Sequence, residues 1–113
     1  MGRRARYTRA WLLFLQDYPL FLSPFLPAPT YAWDRDEQGP AGVQEVIGSG
    51  IYSATMNYMG LPAGNISANL NDGLPVGVQI VGRRFREDLI LDACEAIEQR
   101  VGVMAKHLFA RND

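Results

Sequence analysis

Two periods of apolar residues run along this chain, and the places where one gives way to the other mark its elements. Tyr7, Ala10, Trp11, Phe14 and Leu15 recur at i, i+3, i+4, i+7 and i+8, which is one helical face, while Arg6, Arg9 and Gln16 lie off it. Asp17 and Pro19 end the helix, since proline disfavours helical geometry in the residue before it. Leu20-Phe21-Leu22 reads as a short buried strand. Pro24, Pro27 and Pro29 then remove backbone donors, so Ser23 to Pro29 continues neither as strand nor as helix. Tyr31 to Gly42 carries Asp34, Arg35, Asp36 and Glu37 and reads as a surface loop.

Helical spacing returns at Val43, Val46, Ile47, Ile51, Ala54, Thr55 and Tyr58, which predicts a helix over Val43–Met59. Gly48 and Gly50 each weaken it by about 1 kcal/mol relative to alanine, and a break or kink belongs there. Gly60-Leu61-Pro62 stops it. Ala63–Leu70 and Val76–Val81 read as strands joined by the turn Asn71-Asp72-Gly73, which predicts an antiparallel hairpin. In the second strand Val76, Val78 and Ile80 take one face and Gly77, Gln79 and Val81 the other. A strand this apolar suits a sheet covered on both sides. The clearest helix is Glu87–Arg100. Glu87 and Asp88 favour its first turn, Ile90, Cys94, Ile97 and Val101 form its buried stripe, and Gly102 caps it.

With 113 residues the chain is at most one domain or part of one, and 48% hydrophobic against 20% charged residues excludes a disordered tail. Eleven Lys+Arg against twelve Asp+Glu give a net charge of −1, so no global basic field exists to hold nucleic acid or an anionic membrane. One cysteine excludes an internal disulfide framework, and one histidine excludes a multi-histidine metal site. Arg3 to Leu15 imitates a secretory leader, but Gln16, Asp17 and Pro19 stop the apolar run Trp11–Leu15 short of the about 7–15 residues a leader needs. The expectation is a cytoplasmic protein with no membrane partner, no metal and no cofactor.

The residue spacing assembles no active site. Ser49, in Gly48-Ser49-Gly50, lacks the G-x-S-x-G elbow, and the only His or Lys bases are Lys106 and His107, next to a C-terminal tail. Cys94 reads as a small hydrophobe, and Asp34, Asp36 and Glu37 as a solvated loop rather than a cation site. Arg83, Arg84 and Arg86 stand beside Glu87 and Asp88, which favours local ion pairing over a phosphate site.

The residues themselves carry more. Asn57-Tyr58-Met59-Gly60-Leu61-Pro62-Ala63, followed by Gly73-Leu74-Pro75-Val76-Gly77-Val78-Gln79-Ile80-Val81-Gly82 and Phe85-Arg86-Glu87-Asp88, resembles the C-terminal end of the amidase signature family. The pattern there is N-x-x-G-x-P-A, a strand, a turn, G-L-P-x-G-[VL]-Q-[IVL]-[IV]-G, then a helix opening on Glu. Trp11 through Pro24 is similar to the family's preceding helix and strand, and the resemblance spans about residues 5–102. It implies an α/β fold: the C-terminal portion of an α/β/α amidase-signature domain, a β-hairpin of a mixed sheet with flanking helices, with residues 1–113 forming a single partial domain.

The same resemblance implies carboxamide hydrolysis by a serine pair and a neutral lysine carried upstream in a Gly/Ser-rich signature. This sequence contains no Ser-Ser pair, and Lys106 matches no catalytic position. It therefore implies no catalytic, cofactor or metal residue here, only scaffold: Asn57, Gly60 and Pro62 in a turn element, and Gly73, Pro75, Gly77, Gln79 and Gly82 in the strand motif. Gly77 is expected to let a helix pack closely on the sheet. The expected function is thus that of a C-terminal amidase fragment, inactive alone, whose small amide substrate belongs to a full-length enzyme. The alternatives are a non-enzymatic remnant or split-protein piece, acting by self-association or by complementing an N-terminal amidase segment, and a segment of the A-type chain of a tRNA-dependent amidotransferase. Tyr18-Pro19-Leu20 tilts the choice toward a general amidase.

Overall fold

The computed structural model describes residues 2–111. Helix α1 spans Arg3–Asp17, strand β1 Leu20–Pro24, a 3-10 turn Arg35–Glu37, α2 Gly39–Ser49, α3 Ile51–Met59, β2 Ala63–Asn71, β3 Leu74–Gly82, α4 Glu87–Val101 and α5 Ala105–Ala110. The strands form one antiparallel sheet in the order β1-β3-β2, so the hairpin's second strand is central and Leu20–Pro24 is an edge strand. Asp72 and Gly73, both at positive φ (50° and 76°), form the two-residue turn between Asn71 and Leu74, the backbone twist that a tight hairpin needs.

Helices cover the sheet from both sides, unevenly. On one face Leu15 of α1, Met56 and Met59 of α3, Leu61 and Val81 form the core, with Trp11, Leu12 and Phe21 against it. On the other face α4 lies on β2 and β3, and Ile90 sits over Gly64 and Gly82. Val81 and Ile80, both 0% exposed, point to opposite faces, as the apolar pattern of this strand requires, but Val76 at its other end is 41% exposed. Cover therefore reaches only the half of β3 near Gly82.

Several expectations shift. The inward face of α1 is Thr8, Trp11, Leu12 and Leu15, while Tyr7 and Phe14 are exposed. Thr8 is buried because its hydroxyl donates to the carbonyl of Met59, which an apolar count cannot register. The predicted loop to Gly42 gives way at Gly39, where α2 starts with proline in its first turn, a position that needs no N–H. The single helix Val43–Met59 is two, parted at Gly50. Val101 is exposed rather than part of the α4 stripe, and Lys106 and His107 lie in a further short helix, α5.

The molecule is not compact. Its radius of gyration is 16.3 Å, where a globular chain of this length gives about 13 Å. Its accessible surface of 8123 Å² exceeds by roughly 1,900 Å² what a folded monomer of its mass exposes.

Candidate functional site

Register builds a polar row across the sheet. Ser23 of β1 and Asn65 of β2 both stand opposite Gln79 of β3, so the three side chains share the face opposite Ile80. Gln79 is 2% exposed. Its Nε2 donates to Ser23 Oγ at 3.1 Å and to the Tyr52 carbonyl, in the first turn of α3, at 3.5 Å. Ser23 Oγ in turn donates to the Pro24 carbonyl at 3.1 Å. Two clefts flank the row. A larger one, about 530 Å³, lies between the loop Phe25–Thr30 and the hairpin, over Asn65, Ser67 and Gly77. A smaller one, about 290 Å³, lies beneath α3, bounded by Ser53, Asn57, Asn65 and Gln79. Phe25 and Asn65 line both and form the wall between them. Neutral amides and hydroxyls of this kind hydrogen-bond a polar group; they hold neither a nucleophile beside a base nor a charge.

The motif residues spread over the whole length of the hairpin rather than converging. Asn57 is helical, in the last turn of α3, and its carbonyl accepts the Gly60 N–H at 3.0 Å. Gly60 closes that helix at φ 66°, and the Pro62 carbonyl accepts the Gly82 N–H at 3.1 Å. Gly73 lies at the far tip, where its carbonyl accepts from Arg111 Nη1 at 3.0 Å, and Pro75 stands opposite Leu70. Gly77 does not admit a helix. A Cβ there would lie 2.5 Å from Asn65 Oδ1, so the close neighbour is a side chain of the adjacent strand. The close helix approach occurs instead at Gly64 and Gly82, where a Cβ would meet Ile90 at 2.7 and 3.0 Å.

The nucleophile candidates are spent on helix geometry. Ser49 Oγ donates to the Val46 carbonyl at 2.6 Å and Ser53 Oγ to Gly50 at 3.1 Å. Among the described residues no three His, Cys, Asp or Glu side chains group to hold a metal. Cys94 is half-buried, and desolvation, with Glu98 adding to it, pushes its thiol above the ordinary range. Arg86 forms the local pair with Asp88 through two hydrogen bonds, Nε to Oδ1 at 3.0 Å and Nη2 to Oδ2 at 3.1 Å. Arg84 does not join it. It donates to the Gly60 and Met59 carbonyls at 3.1 and 3.3 Å, and Arg4 donates to Tyr58 at 2.6 Å, so two arginines cap α3 from parts of the chain 80 positions apart. No local spacing in the sequence signals that convergence.

This hairpin, its flanking helices and the Asn57–Gly82 motif meet a known pattern: the family model described as amidase matches residues 1–91. The chain belongs to the amidase family. It is 42% identical over 111 residues to an indoleacetamide hydrolase of Bradyrhizobium diazoefficiens, an alignment covering 97% of this chain and 21% of that protein. It is 32% identical over 92 residues to the A-type chain of the glutamyl-tRNA(Gln) amidotransferase of Pediococcus pentosaceus, covering 81% of this chain and 18% of that one. Among solved structures, 6-aminohexanoate cyclic dimer hydrolase superposes with a TM-score of 0.70 at 22% identity, over 90% of this chain and 23% of the hydrolase, which establishes the shared fold. The chain thus spans about a fifth of the length of the relatives it matches. Among the described residues no helix of this amidase segment is long and apolar enough to cross a membrane.

Proposed function

We propose that residues 1–113 act as the C-terminal scaffold of an amidase hydrolysing a small carboxamide in the cytoplasm, working only together with a segment that carries the Ser/Ser/Lys set. The observation that carries this reading is 42% identity over 97% of the chain to only 21% of an indoleacetamide hydrolase. The surface argues the same way. The excess of roughly 1,900 Å² on this one chain is more than twice the about 800 Å² that one partner gives to a standard interface, and Trp33 and Phe85 stand 89% and 90% exposed, as residues awaiting a partner surface do. In this reading the motif glycines and prolines shape the hairpin, Gln79 ties it to α3, and an arylacetamide is the first substrate to try.

The amidotransferase reading draws on a lower identity over fewer residues and takes second place. Complementation by an N-terminal amidase segment, and self-association in its absence, follow from the same uncovered surface. The test is a chimera in which these residues replace the matching C-terminal fifth of the indoleacetamide hydrolase. Hydrolysis of indole-3-acetamide within about tenfold in kcat/KM is expected. A folded chimera without turnover contradicts the scaffold role.

A further inference from the structure

The ten arginines are not equally employed. Arg35 and Arg86 have carboxylate partners, Glu45 and Asp88. Arg4, Arg9 and Arg84 have none within ion-pair distance among the described residues, yet they line one cleft of about 400 Å³ with Ala5, Thr8 and Leu12. Arg84 also lines the adjoining cleft, with Gly60 and Glu87, and Glu87 is not within ion-pair distance of it.

Capping uses only part of this donor set. Arg4 gives its Nε to Tyr58, and both of its Nη groups donate to nothing among the described residues. Arg84 gives Nε and Nη2 to α3 carbonyls and keeps Nη1. The Nη2 atoms of Arg84 and Arg4 lie 3.2 and 3.5 Å from a single point, the place a Cβ on Gly60 would occupy, so both guanidinium tips reach the same spot beside that glycine. Arg9 makes no hydrogen bond among the described residues. A helix C-terminus offsets about half a unit of positive charge, and three guanidiniums supply far more. Like charges brought together with free, planar donor pairs match a tetrahedral or planar oxyanion, which accepts two parallel N–H bonds.

We propose that Arg4, Arg9 and Arg84 form an oxyanion-binding site at the C-terminal end of α3, taking a phosphate or carboxylate group. The site is open to solvent, so it binds weakly and competes with salt. Equilibrium dialysis of the full chain against labelled inorganic phosphate, and separately acetate, at constant ionic strength in KCl tests it. One saturable phosphate site per chain is expected, with phosphate preferred over acetate because a dianion balances more of the charge. The reverse preference assigns a carboxylate as the source of the group. Arg9→Ala, which removes no hydrogen bond of the fold, and Arg4→Lys, which keeps the charge but loses the fork, should each weaken binding about fivefold or more. Absence of saturable binding by either anion, or binding unchanged in both variants, overturns the proposal.

Discussion

Gln79 donates from Nε2 to Ser23 Oγ at 3.1 Å directly across the β1–β3 pair, and both residues are buried. The same amide reaches the Tyr52 carbonyl in α3, so one side chain joins the edge strand, the central strand and a helix. Gln79→Leu roughly keeps the volume but leaves Ser23 Oγ without its donor, with only its bond to the Pro24 carbonyl remaining. It should cost about 1–3 kcal/mol, the penalty of a buried polar group left unmade. Urea unfolding followed by far-UV circular dichroism reads the loss, and Gln79→Leu with Ser23→Ala should recover part of it.

The approach of α4 predicts a second, separable effect. A Cβ at Gly64 would lie 2.7 Å from Ile90 Cγ2 and 3.5 Å from Cys94 Sγ. Gly64→Ala therefore forces α4 off the sheet and should destabilise by about 1–3 kcal/mol. Adding Ile90→Ala removes the Cγ2 methyl that stands in the crowded spot. The double variant should lose less than the sum of the two single losses, and additive losses would show that Ile90 is not the obstacle.

Cys94 gives the pH dependence. Burial first, then the Glu98 charge, raises its pKa. A thiol whose folded pKa is raised contributes stability that is whole below its ordinary pKa and is lost as pH rises through the folded value. At neutral pH the thiol should react with a maleimide more slowly than free cysteine, and labelling should accelerate only in the alkaline range. Glu98→Gln removes the second cause and should speed labelling modestly. A rate equal to free thiol at neutral pH would mean that the face of α4 carrying Cys94 does not pack on the sheet.

Uncovered apolar surface predicts the solution behaviour. Ile47 and Ile51 are 71% and 59% exposed, near Val43 and Tyr52, and β1 and β2 each leave one edge unpaired. In isolation the chain should sediment as a dimer or larger species, or bind a hydrophobic dye. A monodisperse, dye-free monomer with cooperative unfolding would show that the core is complete without a partner.

What the sequence makes legible is local. Pro19 and Gly60 stop helices, Asp72-Gly73 turns the hairpin, and alternation along β3 places Ile80 and Val81, because each signal lies within a few residues of its effect. Apolar spacing misplaces the inward face of α1 because Thr8 is held by the Met59 carbonyl, 51 positions away. Gly77 suggests a helix neighbour wrongly, because a glycine in a strand announces close approach without naming what approaches. Arg84 reads as a partner of its acidic neighbours, since charge spacing along the chain contains nothing of the α3 carbonyls it meets. The amidase motif is legible as a string of residues, while the polar row that its Gln79 joins depends on the register of β3 with β1 and β2, which only the fold fixes.

The most direct measurement of the central claim is ammonia release from indole-3-acetamide by these 113 residues alone and after mixing with the N-terminal four-fifths of the Bradyrhizobium enzyme they resemble. The account predicts no release above background from either part, and turnover from the mixture that Gln79→Leu reduces. Turnover by the 113 residues alone, abolished by Ser49→Ala, would contradict it and place the chemistry within this chain.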